Sequence, residues 1–526
     1  MKLKMKNINK SILFIAVAIL VLVQSACKKN FDLYATNPKQ LTDSLYSIDY
    51  KNIGGYLPQM QTTVFPTDVN SYQVGQNLNA DIFSGYMGTQ HAFNSGLNNA
   101  NYALVPSWNH EPFNIGYNVF ASWAAIKQRA SNYPDFIAVA TIIKVESLHR
   151  VTDVYGPIPY SKVGTVAFGT PYDAQQSVYN AFFVDLDGAI KSLQDFSATA
   201  DAVTKTRLRQ FDLVFGGDIS KWIKFANSLK LRLAMRLVYV DAALAQKKAE
   251  EAVAAGVMTD NADNAMVKSA NGVTVNNPIP VIVKDYDDIR MGASAESILK
   301  GYNDPRLASY YIPSTTTGTP YRGIRNGNED DTKRPSYSAF SQLNIQASTP
   351  IQWMVAAEMF FLRAEGALRG WNMNGTAQSL YETGIATSFA QRNVGSANAY
   401  ISNSTSLPAA YADPVTPAQS ITAQSTITIK WNAGDSFERN LERIITQKWI
   451  SIFPDGQEAW TEFRRTGYPK IFPVLNNRSG GLIPGFIRRL PFTDQEYSTN
   501  AAEVQKAISL LGGPDNGGTK LWWDKK

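Results

Sequence analysis

Apolar residues recur at helical spacing through most of this chain. The clearest case lies in 438–469, where Leu441, Ile444, Ile445, Trp449 and Ile452 share one face of a helix. Pro454, Asp455 and Gly456 then supply turn chemistry. A second short helix follows, with Trp460 and Phe463 facing inward and Glu462 one turn before Arg465. Gly467 is a C-terminal stop, and Pro469 prevents resumption. The same spacing predicts a helix pair over 117–133 and 134–155, with Ile137, Ala140, Thr141, Lys144, Val145, Leu148 and Val151 along the second member. Further helices are expected over 41–60, 171–196, 211–240, 242–256, 293–307, 348–371, 376–392 and 493–511. In 211–240 the stripe is Trp222, Phe225, Leu229, Leu233 and Leu237, and the surrounding Lys221, Lys224, Lys230, Arg232 and Arg236 read as solvated or core-capping. Helices thus come in pairs, without a strict repeat of about 34 residues.

Between the helices lie long stretches without periodicity, at about 61–116, 257–290, 308–348 and 402–428. Such lengths of loop inside a compact domain are usually functional. Two of them are rich in aromatics, Asn, Gly and Ser. Those aromatics either pack beneath the loops or form a binding platform. Trp222, Trp371, Trp449 and Trp460 sit on helical stripes and read as core.

The N-terminus changes the picture. Lys2, Lys4, Lys6 and Lys10 precede an unbroken apolar run at 12–23, too short to span a bilayer, which closes on Ser25-Ala26-Cys27. Residues 1–26 read as a lipoprotein signal peptide, and Cys27 as the acylated first residue of a mature chain 27–526 that forms one domain. Loss of those four lysines takes the formal charge of the 526-residue chain from +6 to +2, which leaves no electrostatic footprint for nucleic acid. With one cysteine there is no internal disulfide.

Catalytic signatures are missing. There is no G-x-S-x-G, P-loop, H-E-x-x-H or dinucleotide loop; 292–296 fails as a nucleophile elbow because Glu296 stands where Gly belongs. Glu146 and His149 make a lone Glu-x-x-His, whereas a di-iron bundle needs two, and His91 and His110 add none. Residues 260–264 mimic a calcium loop but lack its Gly and final Glu, so no cofactor is expected and a structural calcium is only left open. Asp287, Asp288, Glu329, Asp330 and Asp331 have no spacing that pairs them across a sugar.

Four stretches carry a resemblance. QKWISIFPDGQEAWTEFRRTGYP (447–469), DVYGPIPYS (153–161), GGD with FANSLKLRLAMR (216–236) and AAEMFFLRAEGALRGW (356–371) resemble signatures of the SusD/RagB-like outer-membrane lipoproteins of Bacteroidetes, and KKNFDLYATNP (28–38) resembles their leader. The resemblance implies a mainly α fold: a right-handed array of helix pairs resembling tetratricopeptide (TPR) repeats, packed against a loop-rich ligand-binding half. It implies a non-catalytic receptor, lipid-anchored at the outer membrane, acting as lid for a SusC-like TonB-dependent transporter and holding a glycan or oligopeptide. It places ligand contacts in aromatic loops, without a motif that carries single residues across. From those loops Tyr72, Trp108, Tyr321, Arg322 and Tyr337 are the candidates, since a flat ring buries the C–H face of a sugar while polar neighbours bind its hydroxyls. The alternatives are a secreted glycoside hydrolase and a helical-repeat scaffold that binds only protein.

Overall fold

The computed structural model describes residues 48–526, apart from 91–92, 94–96, 167–168, 316–317, 319 and 328–334. The signal sequence, Cys27, the leader 28–38, His91 and Glu329, Asp330 and Asp331 lie outside the described residues. The chain divides into a first unit, 1–52, described only as a turn at its end, and a second, 53–526, which carries everything below.

The main helices of the second unit are α1 (Leu57–Val64), α2 (Glu111–Arg129), α3 (Pro134–Tyr155), α4 (Gln175–Thr199), α5 (Ile219–Arg236), α6 (Ala242–Ala255), α7 (Ala293–Gly301), α8 (Ala356–Leu368), α9 (Ala377–Arg392), α10 (Phe437–Ser451), α11 (Gly456–Thr466), α12 (Asp494–Thr499) and α13 (Ala501–Leu511). Their ends follow local chemistry. Pro134 opens α3 in its first turn. Asp218, Asp241, Thr376, Ser436 and Asp455 cap α5, α6, α9, α10 and α11 by accepting backbone N–H bonds. Gly467 ends α11 in the left-handed conformation. The pairs α2/α3, α5/α6 and α8/α9 pack together, and α4, α5, α8 and α10 join them into one TPR-like array.

Charge fills the inside of this array. Arg232 and Arg236 are fully buried, contrary to the solvated or capping role expected from their place beside an apolar stripe. Arg232 binds Glu358 of α8 at 2.6 Å. Arg236 bonds Glu458 and Glu462 of α11 and lies 3.5 Å from Asp153 of α3. Lys448 of α10 sits 2.7 Å from Glu458 and 3.3 Å from both Glu358 and Glu462. Arg465 lies 2.8 Å from Glu462 and also bonds Glu365. A buried charge persists only when paired and hydrogen-bonded, and here the partners arrive from separate helices. Burial by itself would raise Glu458 and Glu462, but the cations overcome it, holding Glu458 well below the usual range and Glu462 at about 2. Glu146 has no hydrogen bond among the described residues, and burial pushes it up to about 8.

The loop-rich half departs from the sequence pattern most clearly at 69–81 and at 348–354. Residues 69–81, expected to be aperiodic, form a helical turn (Val69–Tyr72) that runs into a wide, π-type helix (Gln73–Asp81). Its polar side chains are buried rather than solvated: Gln76, Asn77 and Tyr72 all donate to Asp81, and Gln73 to Asp288. The helix expected from 348 onward begins instead with a strand. Among the described residues there are four short strands, β1 (Met87–Thr89), β2 (Ala265–Val267), β3 (Ile289–Met291) and β4 (Ile351–Met354), in two antiparallel pairs. Met87 faces Met291 in one, and Ala265 faces Met354 in the other.

Candidate functional site

Two clusters on the loop-rich half carry the exposed chemistry. The first is the turn that precedes α2. Asn98 caps the backbone of Ala100, Asn99 Oδ1 accepts from Val105 N (2.8 Å), and Asn99 Nδ2 donates to Asn109 Oδ1 (3.1 Å). These asparagines stand in for regular structure, so the turn is shaped by its own side chains. Tyr155 anchors it to α3 by donating to Asn109 O. On this frame Trp108 and Phe93 meet edge to face at 5.7 Å, both half-buried. Pro106 and Asn109, on the same turn as Trp108, line a cleft of about 390 Å³. Leu97 (47% exposed), Tyr102 and Pro106 form one wall, and Arg478, Leu482 (60% exposed) and Asn516 line the other side.

The second cluster is the strand-like stretch from Tyr321 to Ile324. It lies along β3, with Ile324 N donating to Met291 O (2.8 Å). Arg322 donates to Glu296 of α7 (3.2 Å) and to Ala412 O (3.1 Å). Glu296 also accepts from Lys300 and from Gly323 N, each at 2.7 Å, so the guanidinium is held in one position. Tyr321 is half-buried, and its hydroxyl takes no partner among the described residues; burial raises its pKa. A small hollow joins the clusters. Tyr102, which also lines the cleft, forms one side of it, and Ile324, Arg325 and Asn326 form the other. Arg325 donates to two backbone carbonyls, Gln419 O and Pro473 O.

The five candidate residues are therefore not one patch. Trp108 lies in the chain between Pro106 and Asn109 of the cleft wall, and Tyr321 and Arg322 precede Ile324 and Arg325 of the hollow. Tyr72 is buried in a different cavity with its hydroxyl on Asp81 (3.1 Å). Tyr337 is fully buried in a cluster with Ile324 and Phe340, and its hydroxyl donates to Gln419 (3.2 Å). Phe93, Leu97, Arg478 and Leu482 were not among the sequence candidates. Phe93 carried the same aromatic-in-loop signal as Trp108; the two leucines carried none.

Other candidate chemistry is occupied. In the calcium-like stretch, Asp260 caps a short 3-10 turn and Asp263 pairs with Lys224 at 2.9 Å. His149 is buried, which pushes its imidazole well below the usual value, and it contacts Val145 O at 3.2 Å. Among the described residues no three His, Cys, Asp or Glu side chains are grouped to hold a metal. No described helix is long and apolar enough to cross a membrane.

Residues 34–524 match the family model described as SusD and RagB outer membrane lipoprotein. The chain belongs to the SusD-like family. Several solved members share its fold. A chitin-binding SusD homolog from Flavobacterium johnsoniae is 45% identical, with a TM-score of 0.86 over 90% of this chain and 98% of its own. A SusD homolog from Bacteroides uniformis is 39% identical, with a TM-score of 0.84 over 90% and 99%. One from Bacteroides vulgatus is 37% identical, with a TM-score of 0.85 over 91% and 99%. No curated protein matches the chain. The mainly helical, TPR-like architecture of this SusD-like protein is that of its family, whose members are outer membrane lipoproteins.

Proposed function

We propose that this SusD-like protein is a non-catalytic glycan receptor. It is tethered to the outer membrane through acyl chains on Cys27, where two or more chains give stable anchoring, and it serves as the lid of a SusC-like TonB-dependent transporter. The observation that carries the reading is the half-buried Phe93–Trp108 pair on the turn whose Pro106 and Asn109 line a 390 Å³ cleft, together with the fixed Arg322 and the Tyr321 hydroxyl, which has no partner among the described residues. Aromatic rings there cover sugar C–H faces, and the polar groups orient hydroxyls. Binding needs no acid–base pair, and hinge closure over the barrel then delivers the ligand. Similarity to a chitin-binding homolog makes oligomers of N-acetylglucosamine the ligand class to test first.

Calorimetric titration of the soluble mature chain with chito-oligosaccharides tests this. Trp108→Ala and Tyr321→Ala should each lose about 1–2 kcal/mol, roughly a tenfold rise in Kd, with the melting temperature unchanged. Unaltered binding in both variants would refute the site. Release of shorter sugars by the purified protein would refute the non-catalytic reading, and failure of the lipidated protein to co-purify with a barrel from membranes would refute the lid.

A further inference from the structure

A second cavity, of about 250 Å³, lies where the end of α9 and the α10–α11 turn meet the loop-rich half. Phe65, Tyr72, Ile279, Ile345, Phe453 and Pro454 make most of its walls apolar. It shares no lining residue with the cleft lined by Pro106 and Asn109 or with the hollow beside Arg325. Its rim includes Ser309, Asn344, Thr349 and Pro350, which are half-buried or exposed, so it opens to solvent.

The charge in this cavity is unbalanced. Arg392 lines it and makes no ion pair among the described residues. Its Nη2 donates to two neutral acceptors, Phe453 O (2.7 Å) and Gln352 Oε1 (3.3 Å), and its guanidinium lies 4.8 Å from the Tyr310 ring centroid. Nε and Nη1 have no acceptor among the described residues. The acid among the lining residues, Asp455, is already taken in a two-point contact by Arg150, at 2.6 and 3.2 Å. A partly desolvated guanidinium without a counter-charge is a site for an anion. An inorganic anion would leave the apolar walls unfilled. An apolar cavity of about 150 Å³ holds one benzene ring, so this one has room for a ring and a short acid arm.

We propose that this cavity binds a small organic carboxylate with an apolar body, its acid group on Arg392 and its body against Phe65, Ile345 and Phe453. The site is separate from the glycan site and independent of it.

The test uses the soluble mature chain and 3-phenylpropionate as probe, followed by saturation-transfer NMR and competition titration. The neutral 3-phenylpropionamide is the control for charge. The acid should bind at least about tenfold more tightly than the amide, and Arg392→Gln should remove that difference. Ser309→Trp, which puts a large side chain on the rim and leaves Arg392 in place, should block both probes. Both variants should retain chito-oligosaccharide binding. No binding of the acid at about 10 mM, equal binding of acid and amide, or full acid binding by Ser309→Trp would each overturn the proposal.

Discussion

Lys448→Met tests whether the helix array rests on its buried charges. The Lys448 ammonium is fully buried, 2.7 Å from Glu458 and 3.3 Å from both Glu358 and Glu462. Methionine keeps most of the stem's length and packing, so the change isolates the charge. Breaking one side of a buried pair typically costs about 3–5 kcal/mol. Here Arg232 still holds Glu358, and Arg236 still bonds Glu458 and Glu462, which puts the expected loss at the lower end, about 3 kcal/mol, or roughly a hundredfold in the unfolding constant. Urea unfolding followed by tryptophan fluorescence reads it directly, since Trp449 and Trp460 are both buried beside the network. The pH dependence adds a second check. Glu462 titrates at about 2 in the folded chain against 4.5 ordinarily, and Glu458 also lies well below 4.5. Their contribution is therefore complete above pH 4.5 and is lost as pH falls toward 2. Without Lys448 both carboxyls titrate higher and have less to lose, so the gap between wild type and variant should narrow across that interval. A loss below about 1 kcal/mol at neutral pH, or a gap that widens in acid, would refute the argument.

Two further substitutions probe the links between scaffold and site. Gly456→Ala should lower stability by about 3 kcal/mol or more, because a Cβ there would meet the backbone of Asp81, with its N only 2.8 Å away, and neither helix can yield cheaply; a melting temperature equal to wild type would contradict the packing of α11 on the π-type helix. Glu296→Gln removes the charge shared by Arg322 and Lys300 and should weaken chito-oligosaccharide binding several-fold, about 1 kcal/mol, while the melting temperature stays close to wild type; unchanged affinity would show that Arg322 is not positioned by Glu296.

Periodicity was a good guide to the helices because it records the residues that must leave water. Trp222, Leu229, Leu233, Trp449 and Trp460 are buried as their spacing predicts, whereas Leu368 and Trp371 at the end of α8, and Ile137 and Thr141 on α3, are half-buried. The same signal is blind to buried charge. Arg232 and Arg236 lie off the apolar stripe of α5, a position that reads as solvent until Glu358, Glu458 and Glu462 arrive from distant parts of the chain. Residues 69–81 misled for a related reason. Their glutamines and asparagines resemble loop composition, yet they bury by bonding Asp81 and Asp288, and those partners are visible only once the chain is folded.

The loop aromatics divide by what their polar ends find. Tyr72 and Tyr337 have hydroxyl partners, Asp81 and Gln419, and their rings are buried. Tyr321 has none among the described residues, and its ring stays half-buried. Composition could not separate them, because each sits among similar neighbours. The stretch 447–469, which shows the family so clearly, contributes no residue to the lining of the cleft, and its role lies one step behind. The Trp449 indole N–H donates to Ser84 O (2.9 Å), fixing the segment that carries Phe83 and Gly85 to the hollow. Trp460 donates to Ile487 O (3.1 Å) and Arg464 to Arg488 O (2.7 Å), fixing the segment that follows Leu482, Ile483 and Phe486. Since Leu482 and Ile483 line the cleft and Phe486 the hollow, these side chains hold the floor of the site from inside the array. That division of labour leaves the outward-facing loops free to change ligand without disturbing the core.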